Sequence, residues 1–150
     1  MEARIKRIRT SFIDVPHKIA VAIYFAGCSI RCKGCQNPSL WNPLSGELMT
    51  DDEVMKKITN HPLAEYVVFL GGEPTDQIDF LIHLCNRIKQ TTKLSIALYT
   101  GREFEVLPQQ LTSNLDFIVC GPYRQDLVTN SWPASSNQRV LKKEFEQWNL

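Results

Sequence analysis

Apolar residues fall in two rhythms along this chain. Ile19–Ala26 is a near-continuous apolar run, rich in β-branched and aromatic residues and ended by Gly27, which predicts a buried strand. Tyr66–Leu70, Leu94–Tyr99 and Phe117–Cys120 repeat the pattern and end at Gly71-Gly72, Thr100-Gly101 and Gly121-Pro122. Arg139–Lys142 predicts a last strand before a polar tail. Between these runs the spacing becomes helical. Thr50-Asp51-Asp52-Glu53 reads as a capping box with its acids at the positive end of the helix dipole. Val54 and Ile58 then share a face, until His61-Pro62 ends the helix. Gln77–Gln90 carries Ile78, Leu81, Ile82, Cys85 and Ile88 at helical spacing. A short helix is expected near Glu103–Gln109. Gly27–Met49 reads as a loop, and the basic stretch Arg4, Lys6, Arg7, Arg9 as a solvated strand or loop.

Strand and helix alternating in this way imply an α/β fold: a parallel sheet with right-handed crossovers. The 150 residues are too few for a closed eight-stranded barrel, which takes about 250. The expectation is therefore one domain, residues 1–150, built as an open or partial (β/α) barrel of parallel strands. In such sheets chemistry gathers at the carboxyl ends of the strands. The cysteine-bearing loop after Ala26 and the Gly71-Gly72-Glu73-Pro74 turn both sit at such ends.

Charge narrows the range of partners. The 17 basic and 16 acidic residues leave a formal charge of +1, and no basic stripe points to nucleic acid. No segment has the length of a membrane span and none reads as a signal peptide, so a cytoplasmic protein is expected. Five cysteines, three of them within eight residues, do not space out as disulfide pairs.

Cys28, Cys32 and Cys35 form C-x3-C-x2-C, close enough in sequence to wrap one corner of a metal centre. A structural zinc site takes four ligands, usually as two paired knuckles. Here only three ligands are local, and Cys85, Cys120, His17, His61 and His83 lack knuckle spacing. Cys85 lies on an apolar helix stripe and reads as core. Two readings stay open on spacing alone. One is a 4Fe-4S cluster with one iron free of protein ligands, and the other is zinc completed by a distant histidine.

The stretch Cys28-Ser29-Ile30-Arg31-Cys32-Lys33-Gly34-Cys35 resembles the signature loop of the radical S-adenosylmethionine superfamily. Gly71-Gly72-Glu73-Pro74 is similar to that family's second motif. The resemblance narrows to the glycyl-radical-enzyme activases through Ser11–Pro16 with Gly27-Cys28. It narrows to the activases of anaerobic ribonucleotide reductase through Cys32–Trp41, Asp116–Tyr123 and Ser135–Arg139.

This resemblance implies the cofactors: a 4Fe-4S cluster on Cys28, Cys32 and Cys35, and S-adenosylmethionine on its open iron. Reductive cleavage would yield a 5′-deoxyadenosyl radical that takes hydrogen from a glycine of the reductase large subunit. Gly34, Cys35 and Gln36 would lie at the adenosine, and Gly71, Gly72 and Glu73 at the methionine end, where paired glycines let the backbone approach a ligand. Thr100 would stand near the ribose or amino acid moiety, and Asn137 and Arg139 match a family motif of unspecified role. Flavodoxin or ferredoxin is the implied electron donor. Departures are Gly34 where many relatives carry a bulky residue, Cys120 where aspartate is common, and Pro16-His17 where Pro-Gly is common. Three alternatives accompany this expectation: activation of another glycyl radical enzyme such as pyruvate formate-lyase, a radical enzyme acting on a small metabolite, and a zinc-stabilised interaction module.

Overall fold

The computed structural model describes residues 1–144 and 147–148. Eight strands form one sheet: β1 (Glu2–Ser11), β2 (Ala20–Phe25), β3 (Glu47–Thr50), β4 (Tyr66–Gly71), β5 (Ser95–Tyr99), β6 (Phe117–Cys120), β7 (Arg139–Glu144) and β8 (Gln147–Trp148). Their order across the sheet is β3-β1-β2-β4-β5-β6-β7-β8. The four central strands β2, β4, β5 and β6 run parallel, as their apolar runs predict. The outer pairs do not. β1 is antiparallel to β2 and β3 to β1 on one side, and β7 is antiparallel to β6 and β8 to β7 on the other.

The fold is thus α/β with a mixed, open sheet, which corrects the expectation of parallel strands throughout. The reason lies in the connections. A parallel return needs a crossover, usually a helix. Helical segments lie in the connections between the parallel strands, α1 (Asp51–Thr59) between β2 and β4, α2 (Ile78–Thr91) between β4 and β5, and short turns at Phe104–Val106 and Gln109–Thr112 between β5 and β6, whereas among the described residues no helix lies between β1 and β2.

Helix α1 starts as the sequence predicts. The Glu53 N–H donates to Thr50 Oγ1 at 3.1 Å, and the Thr50 N–H donates to Glu53 Oε1 at 3.3 Å. The segment expected to be one short helix near Glu103–Gln109 splits instead. A 3-10 turn covers Phe104–Val106 and a single turn, α3, covers Gln109–Thr112. Pro108 lies between them, and proline cannot donate within a helix. The Gly27–Met49 loop contains 3-10 turns at Pro38–Leu40 and Pro43–Ser45, and its end pairs as β3. Part of the expected polar tail pairs as β8; residues 145–146 and 149–150 lie outside the described residues.

Alternation along each strand divides the sheet's two faces. Ile23, Phe25, Val67, Phe69, Ile96, Leu98 and Ile118 pack under the helices, against Val54 and Ile58 of α1 and Leu81, Leu84, Cys85 and Ile88 of α2. Burying each large side chain of this kind stabilises the fold by roughly 1.5–3 kcal/mol. The opposite face carries Ala20, Ala22, Tyr24, Val68, Ala97, Phe117 and Val119. Among the described residues no helix is long and apolar enough to cross a membrane.

Candidate active site

Tyr24 and Val119 of the face opposite the helices help to line a cavity of about 790 Å³. It opens where the carboxyl ends of the parallel strands converge. Cys28, Cys32, Cys35, Gln36, Gly71, Gly72, Glu73 and Thr100 all line it, so residues 72 positions apart in sequence share one wall. Gly34, Asn137 and Arg139 do not line it. Asn137 donates from Nδ2 to the Pro122 carbonyl at 2.8 Å. Arg139 lies opposite Cys120 across β6–β7, and its guanidinium reaches Glu105 at 2.7 Å and Glu103 at 3.7 Å. Both residues thus brace β7 and the segment leading into it. Cys120 is buried in the helix-side core, and burial pushes its thiol up.

The cysteine loop begins as β2 ends. The Gly27 and Cys28 N–H groups donate to the carbonyls of Leu40 (2.6 Å) and Trp41 (3.1 Å), which folds the loop back on itself. The Cys35 N–H donates to the Cys32 carbonyl at 3.1 Å, and the Asn37 N–H to Cys35 Sγ at 3.4 Å. Gly34 has φ +72°, and a Cβ there would meet the Gln125 side chain at 2.6 Å. The end of the Gln125 side chain could yield, so it is the positive φ that favours glycine here. Arg31 also has positive φ, +52°. Its Nε donates to the Cys28 carbonyl at 3.3 Å and its guanidinium lies 6.0 Å from the Trp41 ring centre. His17, standing where Pro-Gly is common, has φ +63°, a conformation glycine adopts without strain.

Two residues that sequence reasoning missed anchor the loop. Asp76, from the turn after β4, accepts from the Ser29 N–H (2.7 Å) and hydroxyl (2.8 Å). Arg102, beyond β5, donates to Asp76 at 2.8 Å and to Thr75 Oγ1 at 2.8 Å. Three strand ends are thereby tied together one residue away from Cys28.

The donor set fits a multi-iron cluster. The three thiols are partly exposed and line one cavity. Cys32 is pushed up by burial first, and then by the charges of Cys35 and Cys28, so three thiolates here repel one another until a cation separates them. A cluster binds each thiolate to a different iron, whereas a single ion needs its ligands at one point. Among the described residues no three His, Cys, Asp or Glu side chains converge in that way. Two of the three histidines are engaged elsewhere, His61 with Thr10 and His83 with Asp51, each at 2.7 Å.

The Gly-Gly-Glu-Pro turn also has a structural part. A Cβ on Gly71 would stand 2.4 Å from the Phe25 carbonyl oxygen, and one on Gly72 would stand 2.2 Å from that of Gly27. The glycines therefore let the end of β4 press against the end of β2, next to the cysteine loop. Glu73 is buried. Its Oε2 accepts from the Thr75 N–H (3.0 Å), Thr75 hydroxyl (2.6 Å) and Thr100 hydroxyl (2.7 Å). Its Oε1 accepts from the Gly101 N–H at 2.8 Å. The carboxylate joins the β4 and β5 ends, and Thr100 is its partner in that link. Arg7 and Arg9, expected to be merely solvated, are exposed but also line the cavity.

The family model described as a 4Fe-4S single cluster domain matches residues 18–141. The chain belongs to this family. It is 31% identical over 136 residues to the anaerobic ribonucleoside-triphosphate reductase-activating protein of Enterobacteria phage T4, a match covering 85% of this chain and 86% of the relative. It is 35% identical over 77 residues to the pyruvate formate-lyase-activating enzyme of Clostridium pasteurianum, covering 48% of this chain and 32% of that protein. The crystal structure of QueE from Escherichia coli shares the fold, with a TM-score of 0.66 and 17% identity over 83% of this chain and 61% of that one. The protein is accordingly an enzyme of the radical S-adenosylmethionine activase type. Its cofactors are a 4Fe-4S cluster and S-adenosylmethionine.

Proposed function

We propose that this enzyme activates anaerobic ribonucleotide reductase by generating a glycyl radical on the large subunit. The observation that carries this reading is the match to the phage T4 activating protein over almost the full length of both chains. Cys28, Cys32 and Cys35 hold the cluster, and residues 1–150 act as one domain in the cytoplasm. When bound, the cofactors supply an electron and a 5′-deoxyadenosyl radical, with flavodoxin or ferredoxin as the external donor.

The chain's own residues prepare the place for that chemistry. Asp76 and Arg102 fix the loop that presents the thiols. Glu73 holds the β4 and β5 ends at a constant distance, leaving the backbone of Gly71 and Gly72 to face the methionine end. Gln36 and the Gly34 backbone lie toward the adenosine. No acid–base pair is required, because hydrogen abstraction from glycine moves an atom rather than a proton. Asn137 and Arg139 act on β7 and its connection, not on the cofactor.

The test mixes the reduced, cluster-loaded protein with S-adenosylmethionine and reductase under anaerobic conditions. Electron paramagnetic resonance should show a glycyl doublet on the reductase, lost when its radical glycine is changed to alanine. A doublet formed only on a pyruvate formate-lyase would transfer the assignment to that enzyme. Turnover of a free metabolite without any protein radical would overturn it.

A further inference from the structure

Strand β1 carries its basic residues in an unexpected direction. Ala3 and Ile5 face the helices and pack in the helix-side core. Strict alternation would send Arg7 and Arg9 to the same face. The register instead shifts between Ile5 and Arg7: Ile5 pairs with Phe25, but Arg7 pairs with Tyr24 and Arg9 with Ala22. The irregularity places Lys6 as the extra residue and moves everything after it to the other face. Ile8 now turns toward the helix-side core, while Arg7 and Arg9 line the cavity.

The two guanidiniums are held there. Their central carbons lie 5.0 and 4.9 Å from the centre of the Tyr24 ring, and Arg9 also donates to the Tyr24 hydroxyl at 2.8 Å. Among the described residues no carboxylate forms an ion pair with either. Asp14 lines the same cavity, but its carboxylate accepts from the Ser11 hydroxyl at 2.5 Å. Two oriented, unpaired guanidiniums beside an aromatic ring suit a carboxylate.

The neighbouring rim is apolar. Ile13 is 81% exposed and Trp132 39%, and both line the cavity. The rim is also fixed in place. Tyr99 donates its hydroxyl to the Asp14 carbonyl at 2.6 Å, and Trp132 Nε1 donates to the Tyr99 hydroxyl at 2.8 Å. Trp132 further stacks on Phe117, with ring centres 6.0 Å apart and planes 14° apart.

Position argues for a peptide ligand over the cofactor. The thiols, Gly71–Glu73 and Thr100 all come from strand carboxyl ends. Ala22, the partner of Arg9, lies three residues before the end of β2, roughly 10 Å back along the strand. Arg9 therefore stands away from the thiol-bearing strand ends, and Arg7, whose partner Tyr24 lies one residue before the end of β2, stands between.

We propose that Arg7 and Arg9, turned into the cavity by the β1 irregularity and stacked on Tyr24, bind a carboxylate of the protein substrate, whose adjoining apolar side chain seats between Ile13 and Trp132. This rests on the reading that the substrate is a polypeptide. It adds the chemistry by which that polypeptide is recognised: an acidic residue beside an apolar one.

The experiment compares cluster-loaded wild type, the double variant Arg7→Ala/Arg9→Ala and the charge-preserving Arg7→Lys/Arg9→Lys. Iron content confirms that each is loaded. Three quantities are read: affinity for S-adenosylmethionine, the reductase concentration giving half-maximal glycyl radical, and its dependence on sodium chloride. The alanine variant should need about tenfold more reductase and lose most of its salt dependence, with the lysine variant between it and wild type. Weakened S-adenosylmethionine binding with an unchanged reductase requirement would make the carboxylate the cofactor's and overturn the proposal. No change in either would reduce the arginines to partners of Tyr24. Wild type giving no glycyl radical on any protein would remove the activase reading, and this inference with it.

Discussion

Replacing Glu73 by glutamine tests whether the second motif acts as a brace. The carboxylate accepts four hydrogen bonds in a site with 1% exposure. A glutamine amide has one acceptor oxygen and one donor NH2. Its oxygen does best at the Oε2 position, where three donors meet. The NH2 then faces the Gly101 N–H at the 2.8 Å that a hydrogen bond now occupies. One bond to a charged acceptor is lost, roughly 1.5–3 kcal/mol, and a buried N–H goes unsatisfied, roughly 1–3 kcal/mol. Rotation of the Thr75 and Thr100 hydroxyls recovers part of this, so the net cost is about 2–4 kcal/mol. For a domain of this size each kcal/mol lowers Tm by roughly 2–4 °C, giving a fall of roughly 5–15 °C. Circular dichroism melting of the cluster-free protein is the assay, because a residue that served only the cofactor would leave that melt unmoved. A Tm within about 2 °C of wild type would refute the brace, and Glu73 would have to be reassigned to direct ligand contact.

Two further outcomes are expected. Alanine at Cys28, Cys32 or Cys35 should abolish the cluster signal, whereas Cys85→Ala and Cys120→Ala should retain iron, since both lie buried in the helix-side core; full iron in Cys32→Ala would contradict the ligand set. At the start of α1, a hydrogen bond from His83, with Arg87 and the chain's amino terminus, holds the Asp51 carboxyl well below the usual carboxylate range. A depressed carboxyl stabilises the fold above its unfolded value near pH 4 and stops doing so as pH falls through its folded value. The urea-midpoint penalty of Asp51→Asn in cluster-free protein should thus be largest near neutrality and shrink toward pH 3, and a penalty independent of pH would rule this linkage out.

How far the sequence could be read depended on whether the signal was local. β2, β4, β5 and β6 were legible because strands buried on both faces are uniformly apolar and stop at glycine or Thr-Gly. α1 was legible because its capping box lies within four residues. β1 was not, since the irregularity at Lys6 breaks the alternation that marks a strand. The edge strands β3 and β8 are short and polar, and carry little periodicity of their own. In the site, the cysteine spacing was local, but the anchor was not: Ser29 meets Asp76 across 47 positions and Arg102 across 73. Gly71 and Gly72 stand out as a motif, but the crowding around them comes from the backbone of β2 and the residue pair after it, which no sequence spacing announces.

The sheet is dressed with helices on one face only. Its other face carries a smaller core with Val15 and Leu40, beside an open cavity and an apolar rim. A docked reductase segment would bury that rim and cover the cavity in a single event. Affinity between the two proteins would then arise from the same surface that shields the reactive intermediate from solvent. On the proposed function, an activase built in this way would gain little from a lid of its own, since its target would serve as the lid and turnover would be safest with the correct partner in place.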